Sequence, residues 1–210
     1  MLTRSTSALA VVTALTVALT GPAASAADFP TPGAGFKVSL SAEQVTFTCD
    51  DKTHTISLKG SASLKAGTPS PVRPLSLPMN VTTAELSGTN STFGKVTASL
   101  EGTQIGELVK QSAATPFPAR HVLPLKLKIT FGRIDCGGGD DNSAHGSLRR
   151  AYEPLVLETK NPARLIGNLT EFPPRGDLYQ LQNPVDLILP ETPDVTVASI
   201  QKFPVQVGGL

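Results

Sequence analysis

The chain has 210 residues, of which 40% are hydrophobic, 17% are charged and 5% are aromatic, and its net charge is +1. A chain this close to neutrality lacks the basic excess that nucleic acids and acidic membrane surfaces attract, so we expect neither as a partner. The length suits one domain with a substantial hydrophobic core.

Residues 1–26 have the pattern of a secretory signal peptide. Arg4 supplies a positive charge, an uncharged and mostly apolar stretch runs from Ala8 to Thr20, and small residues precede position 27. That stretch is shorter than the ~20 residues of a membrane-spanning helix, and no later segment is apolar enough to span. We therefore expect cleavage between Ala26 and Ala27 and a secreted bacterial protein, extracellular or loosely associated with the cell envelope.

After a flexible start at residues 27–35, the chain from 36 to 210 alternates apolar and polar residues. In "VTFTC" the apolar positions are Val45, Phe47 and Cys49, and "THTISLKGSASLK" continues with the same period of two. Such alternation is typical of strands with one buried face, and clusters rich in Gly and Pro separate the segments. The fold class predicted is all-β, an antiparallel β-sandwich or barrel-like domain.

Several segments carry a more specific expectation. Pro78 in "PLSLPMNV" predicts an edge strand or a bulged one, because proline cannot donate to a strand ladder. The best candidate for a short helix is "TQIGELVKQSA", residues 103–113, although Gly106 weakens it. The longest strand predicted is "HVLPLKLKITFGRIDC", whose apolar phase slips after Gly132 as it does at a β-bulge. Residues 148–183 are less regular and suggest either a long excursion or a second sheet.

Two cysteines, Cys49 and Cys136, are the only ones in the chain. An exported protein matures in an oxidising compartment, where an even number of cysteines favours pairing. Both residues also fall on apolar faces of their predicted strands. We therefore expect one disulfide between them.

Acidic residues flank both cysteines. Asp50 and Asp51 follow Cys49, while Asp140 and Asp141 lie in the loop after Cys136. A disulfide would draw the two clusters together, and calcium takes six to eight oxygen ligands of this kind. Calcium is one interpretation and a solvated acidic turn is the other. We assign no metal ligand and no cofactor.

Catalytic motifs are absent from the sequence. The three histidines, His54, His121 and His145, belong to no recognised nucleophile, elbow or zinc pattern. Sugar binding is also disfavoured, because the chain has no Trp and two Tyr to form a stacking platform. The sequence therefore predicts a protein that is not an enzyme.

Near the C-terminus "LPETPDVTV" resembles a cell-wall sorting signal of the Leu-Pro-x-Thr-Gly type. Pro193 stands where that signal has Gly, and the 17 residues after it are too polar to span a membrane. We therefore expect a turn between two strands and no covalent anchor to the cell wall.

Three functions fit these features. The first is a non-enzymatic interaction module with an unknown envelope or extracellular partner. The second is a carrier of a lipid or another apolar small molecule, and the third is a hydrolase that uses loop histidines and carboxylates. The composition resembles actinobacterial secreted domains of unknown function, a resemblance that assigns no site residue. A filled interior would favour the first function and a hollow one with a mouth the second.

Overall fold

The computed structural model describes residues 28–49, 52–133 and 154–209. Over these ranges the chain forms 13 strands in one antiparallel sheet, and they contain no helix that is long and apolar enough to cross a membrane. The all-β, antiparallel prediction is confirmed. The strands are β1 Gly35–Cys49, β2 Lys52–Ala66, β3 Ser76–Asn90, β4 Gly94–Leu100, β5 Gln104–Lys110, β6 Ala119–Leu125, β7 Leu127–Phe131, β8 Leu155–Thr159, β9 Ala163–Leu169, β10 Arg175–Leu181, β11 Val185–Leu189, β12 Thr192–Lys202 and β13 Val205–Gly209.

Three long strands, β1, β2 and β3, pair side by side and are each 15 residues long. The remaining ten strands are shorter and continue one another in pairs. Along β3, for example, β4 pairs with residues 85–90 and β5 with residues 76–81. In the same way β6 continues into β7, β8 into β9, β10 into β11 and β12 into β13, each across a short interruption.

The first strand of the chain also pairs with the last two strands, β12 and β13. On the side away from β2, the start of β1 pairs with β13 and its end pairs with β12. The sheet therefore has two groups of short strands, which share β1, β2 and β3. One group is β4, β7, β8, β11 and β12, and the other is β5, β6, β9, β10 and β13.

The long strands change register where they pass from one group to the other. In β1 the pairing with β2 shifts between Ala42 and Val45, and Gln44 at this bulge has a φ of 57°. In β3 a similar shift lies at Thr82. Each bulge adds one residue, so the apolar residues on both sides of it keep facing the interior. The predicted inward phase of Val45, Phe47 and Cys49 is confirmed, since all three are buried.

The expected helix at residues 103–113 is wrong. Residues Gln104–Lys110 form β5, where Gly106 and Leu108 are buried and Ile105 is exposed, an alternation with a period of two. A side-chain carbon at Gly106 would lie 2.6 Å from the carbonyl oxygen of Val122. The glycine that weakened the helix prediction is therefore a point of close contact between neighbouring strands.

Of the two alternatives predicted from Pro78, the bulged strand is confirmed, since β3 has its bulge at Thr82. The edge strand is wrong, because β3 pairs with β2 on one side and with β4 and β5 on the other. The carbonyl oxygen of Pro78 accepts a hydrogen bond from the amide of Gly67. In an antiparallel strand the nitrogen of a residue faces the same side as its carbonyl, so the missing amide faces β2 just beyond its end at Ala66. Proline is tolerated in an interior strand here because its missing amide faces the point where the ladder between β2 and β3 ends.

The long strand predicted from His121 onward is two strands on one apolar face. Leu123 and Leu125 in β6 and Leu127, Ile129 and Phe131 in β7 are all buried, as the alternation predicted. The break at Lys126 lies where the strand changes neighbours, from β5 and β9 to β4 and β8. The phase slip predicted beyond Gly132 falls at Ile134 and Cys136, outside the described residues.

The "LPET" segment forms the predicted turn. Pro190 and Glu191 connect β11 to β12, and Leu189 pairs across the turn with Thr192. All residues from Pro190 to Thr196 are exposed. The turn therefore lies on the surface, and the absence of a covalent cell-wall anchor stays a prediction.

Candidate functional site: an apolar cavity with a buried histidine and tyrosine

Most site residues predicted from the sequence lie outside the described ranges. This applies to Ala26 and Ala27 of the cleavage site, to the acidic residues Asp50, Asp51, Asp140 and Asp141, and to His145. Calcium binding and signal cleavage therefore stay predictions. Within the described ranges no group of three His, Cys, Asp or Glu side chains is arranged to hold a metal ion.

The predicted disulfide has one end in the described chain. Cys49 is the last residue of β1, and it is buried with its sulfur 3.8 Å from the carbonyl oxygen of Val197 in β12. Cys136 lies outside the described residues. The pairing of the two cysteines stays a prediction.

The interior beside β4, β7, β8, β11 and β12 is packed with aromatic rings, and we call it the aromatic end. Phe47, Phe93 and Phe131 are each at most 2% exposed and meet edge to face, with ring centroids 5.1 to 6.0 Å apart. His54 lies against this cluster, 5.1 Å from the Phe93 ring centroid. Its Nε2 is buried and has no hydrogen-bond partner among the described residues. Among the described residues no serine hydroxyl or carboxylate is hydrogen-bonded to His54. The hydrolase hypothesis stays a prediction.

The interior beside β5, β6, β9, β10 and β13 holds a cavity of about 30 Å³, and we call it the cavity end. A void of this size has room for about two water molecules. Among the described residues, aliphatic side chains form most of the wall, and no Lys, Arg, Asp or Glu contributes to it. The small members Ala62 and Ala84 pair with each other across β2 and β3, which leaves the space that larger side chains would fill.

His121 and Tyr179 supply the polar groups of this cavity wall. Nδ1 of His121 lies 2.6 Å from the hydroxyl oxygen of Tyr179, and both residues are 1% exposed. His121 Nε2 is buried and has no hydrogen-bond partner in the described chain. Burying a polar atom without a partner costs stability, so this nitrogen, on a residue of the cavity wall, is a position where a ligand that enters the cavity would gain a hydrogen bond.

A glycine positions the pair. His121 in β6, Gly167 in β9 and Tyr179 in β10 stand opposite one another on three adjacent strands. A side-chain carbon at Gly167 would lie 2.9 Å from three atoms of the Tyr179 ring. The ring therefore lies flat over Gly167, and this lets the hydroxyl of Tyr179 reach across β9 to His121.

Burial sets the charge of both groups. Desolvation lowers the pKa of His121 to about 3 from its ordinary value of 6.5. Burial, and to a lesser degree the charge of Asp177, raises the pKa of Tyr179. Both side chains are therefore neutral near pH 7, and the cavity offers hydrogen bonds without a net charge.

Two half-buried aromatic rings lie where the cavity wall approaches the protein surface. Phe172, in the connection between β9 and β10, is part of the wall and is half-buried. Its ring meets that of Phe36 edge to face, with a centroid distance of 4.6 Å. Leu40, also half-buried, is part of the wall near them. We call Phe36 and Phe172 the mouth.

The sequence carried a signal for half of this pair. His121 has the same phase as Leu123 and Leu125, so the alternation places a polar residue on an apolar face. Tyr179 lies in the segment that appeared irregular, 58 positions further along the chain. Strand order brings the two together, and strand order is not visible in the pattern of either strand.

Comparisons with known proteins give a fold and no family. No family model matches the chain, and no curated protein shows a significant sequence match. Among solved structures, the chain is similar to that of DynF from the dynemicin biosynthesis pathway of Micromonospora chersina. The two share 16% sequence identity with a TM-score of 0.65, over 86% of this chain and 82% of the other. At this identity the likeness shows a shared fold and carries no function from one protein to the other.

Proposed function

We propose that this chain is a non-enzymatic binding protein that carries an apolar small molecule inside the cavity end. The strands are proposed to close into a barrel-like domain around this interior, since β1 pairs with the last strands of the meander. Secretion by way of residues 1–26 and an extracellular or envelope location belong to the same proposal. No metal or cofactor is part of it.

The cavity carries the proposal. Ligand sites are commonly concave and apolar, with a few polar groups that fix the orientation of the ligand. The cavity end has this composition, with aliphatic walls and the neutral pair of His121 and Tyr179. A wall without charged side chains favours apolar molecules, because an ion would lose its hydration without a partner.

Binding requires the mouth to open. A void of about 30 Å³ is too small for a lipid chain or an aromatic ring system. Phe172 is half-buried and lies in a connection outside the strand ladders, so its ring can move without breaking strand pairing. Outward rotation of Phe172 would enlarge the cavity and give a ligand access from the solvent.

The interaction module, which the sequence favoured first, stays a prediction. In the described chain the exposed large apolar side chains are Val72, Leu75, Ile105, Leu178 and Val195. They belong to four separate segments of the chain. An apolar docking surface would instead need a continuous patch of several hundred Å².

A fluorescent titration tests the proposal. N-phenyl-1-naphthylamine is neutral and apolar, and its emission rises in apolar sites. The chain has no Trp, so protein emission does not obscure that of the probe. We expect saturable binding of one probe per chain to the wild type and a loss of at least tenfold in affinity for Ala84→Leu, which fills the cavity.

The matched control is Thr83→Leu, which makes the neighbouring exposed position equally large and apolar. It should bind the probe as the wild type does, and far-UV circular dichroism should show both variants folded. Absence of saturable binding to the wild type would overturn the proposal. Equal binding by folded Ala84→Leu would do the same, because the probe would then occupy another site.

A further inference from the structure

We infer that Nε2 of His121 is the anchor of the cavity, and that it donates a hydrogen bond to an uncharged ligand that carries an acceptor oxygen, such as a ketone, aldehyde or ester. This inference rests on the proposed function, because it names the class of molecule that the cavity takes. The apolar part of the ligand would lie against the aliphatic wall, and its oxygen would face His121.

The direction of the hydrogen bond to Tyr179 decides which nitrogen carries the proton. The tyrosine hydroxyl has one hydrogen to donate, and Nδ1 of His121, at 2.6 Å, is its hydrogen-bond partner in the described chain. If Nδ1 carried the proton, the hydroxyl would accept and its own hydrogen would be buried without a partner. The arrangement that satisfies Tyr179 therefore has the hydroxyl donating to Nδ1.

A neutral imidazole that accepts at Nδ1 carries its hydrogen on Nε2. That nitrogen is buried, belongs to a residue of the cavity wall and has no partner in the described chain. As a donor it needs an acceptor, which a carbonyl oxygen supplies and a hydrocarbon does not. The unpaired donor thus indicates that the ligand carries a hydrogen-bond acceptor, such as a carbonyl oxygen.

The charge of the ligand follows from the surroundings of His121. The imidazole stays neutral near pH 7 because burial lowers its pKa to about 3. Among the described residues no Lys or Arg belongs to the cavity wall. A carboxylate or phosphate would therefore enter without a positive partner, a costly arrangement in an apolar site. An uncharged oxygen avoids this cost.

Two probes of similar size and different polarity test the anchor. Cyclohexanone has the acceptor oxygen, and methylcyclohexane has a methyl group in its place. Competition with N-phenyl-1-naphthylamine measures the affinity of each. We expect His121→Phe to weaken cyclohexanone binding about tenfold and methylcyclohexane binding less than twofold, since one hydrogen bond of about 1.4 kcal/mol is lost.

Nuclear magnetic resonance of wild-type protein labelled with ¹⁵N in histidine gives a second measurement that needs no variant. The His121 Nε2 signal should be that of a protonated ring nitrogen, and its proton should move downfield on addition of cyclohexanone but not of methylcyclohexane. An unprotonated Nε2 would overturn the inference.

The outcomes separate the inference from the proposed function. If both probes compete and His121→Phe weakens them equally, the cavity binds apolar molecules and the anchor is wrong. If neither competes, and the fluorescent probe itself does not bind, the carrier function fails and the anchor fails with it.

Discussion

The aromatic end and the cavity end are built on the same three long strands but have different interiors. At the aromatic end, Phe47, Phe93 and Phe131 fill the space between the strands with contacts edge to face. At the cavity end, small residues such as Ala62 and Ala84 leave a void, and a polar pair is part of its wall. Side-chain volume, at constant strand pairing, thus separates a structural interior from one that can receive a ligand.

The backbone supports this division. The bulge at Gln44 in β1 and that at Thr82 in β3 both lie between the two ends, as do the interruptions that divide each shorter strand pair. Each irregularity lets the two ends adopt their own twist while apolar residues keep facing inward. One end can therefore be loosely packed without loss of order at the other.

Removal of one phenylalanine from each end should give the largest difference in stability between the two ends. Phe131→Ala at the aromatic end should lower the free energy of unfolding by about 3–5 kcal/mol, because a buried ring is lost and a cavity forms. Phe172→Ala at the mouth should cost less, about 1–2 kcal/mol, since that ring is only partly buried.

Urea denaturation followed by circular dichroism measures both variants. Equal losses of stability would mean that the mouth is as tightly packed as the aromatic end, and the division into two interiors would be wrong. Phe172→Ala should also bind N-phenyl-1-naphthylamine at least as well as the wild type, because its mouth is open.

Acid should destabilise the cavity end through His121. Its pKa in the folded protein is about 3, below the ordinary value of 6.5, so the unfolded chain binds more protons between these values. The contribution of His121 is complete above pH 6.5 and is lost as the pH falls toward 3. From pH 6 to pH 4 we expect a loss of about 2–3 kcal/mol from this residue.

The control for this pH dependence is His121→Phe, which keeps an aromatic ring at this position and removes the titrating imidazole. Carboxylates elsewhere contribute to acid denaturation in both proteins, so the difference between the two curves isolates His121. If the curves run parallel between pH 6 and pH 4, the histidine is not buried in its neutral form.

The sequence predicts which residues of a single strand face the interior, but it does not predict the order of the strands in the sheet. The period of two correctly placed Val45, Phe47 and Cys49 inside, because alternation follows from the geometry of one strand. It failed at Gln104–Lys110, where a short segment with three apolar residues, Ile105, Leu108 and Val109, fits a helix and a strand equally well. Tertiary contacts of Gly106 with neighbouring strands decided between them.

Prediction of the site would also have required the order and the register of the strands. His121, Gly167 and Tyr179 form a row because β9 lies between β6 and β10, with a register that places the three residues opposite one another. Loops and register together determine such a row, and alternation within each strand is compatible with many registers. The phase of His121 was visible in the sequence, but its partner was not.

The smallest expected effect tests most directly whether the cavity end contains empty space and the aromatic end does not. Ala62→Val at the cavity end adds two methyl groups beside the void, whereas Ala98→Val adds the same groups beside Ile129 of β7, and neither Ala98 nor Ile129 lines the cavity. Overpacking a filled core costs about 1–3 kcal/mol, so Ala98→Val should destabilise by about 1 kcal/mol or more. Ala62→Val should change stability by less than about 0.5 kcal/mol, because the new atoms enter space already present.

Both substitutions lie on strands and carry the same gain in strand propensity, so the difference between them reports on packing alone. Thermal unfolding by circular dichroism resolves a difference of this size. If Ala62→Val is as destabilising as Ala98→Val, the void at the cavity end closes in solution, and a carrier would have to create its binding space entirely by opening the mouth. If the difference appears, part of the binding space is present before a ligand enters, and outward rotation of Phe172 gives access to that space and enlarges it.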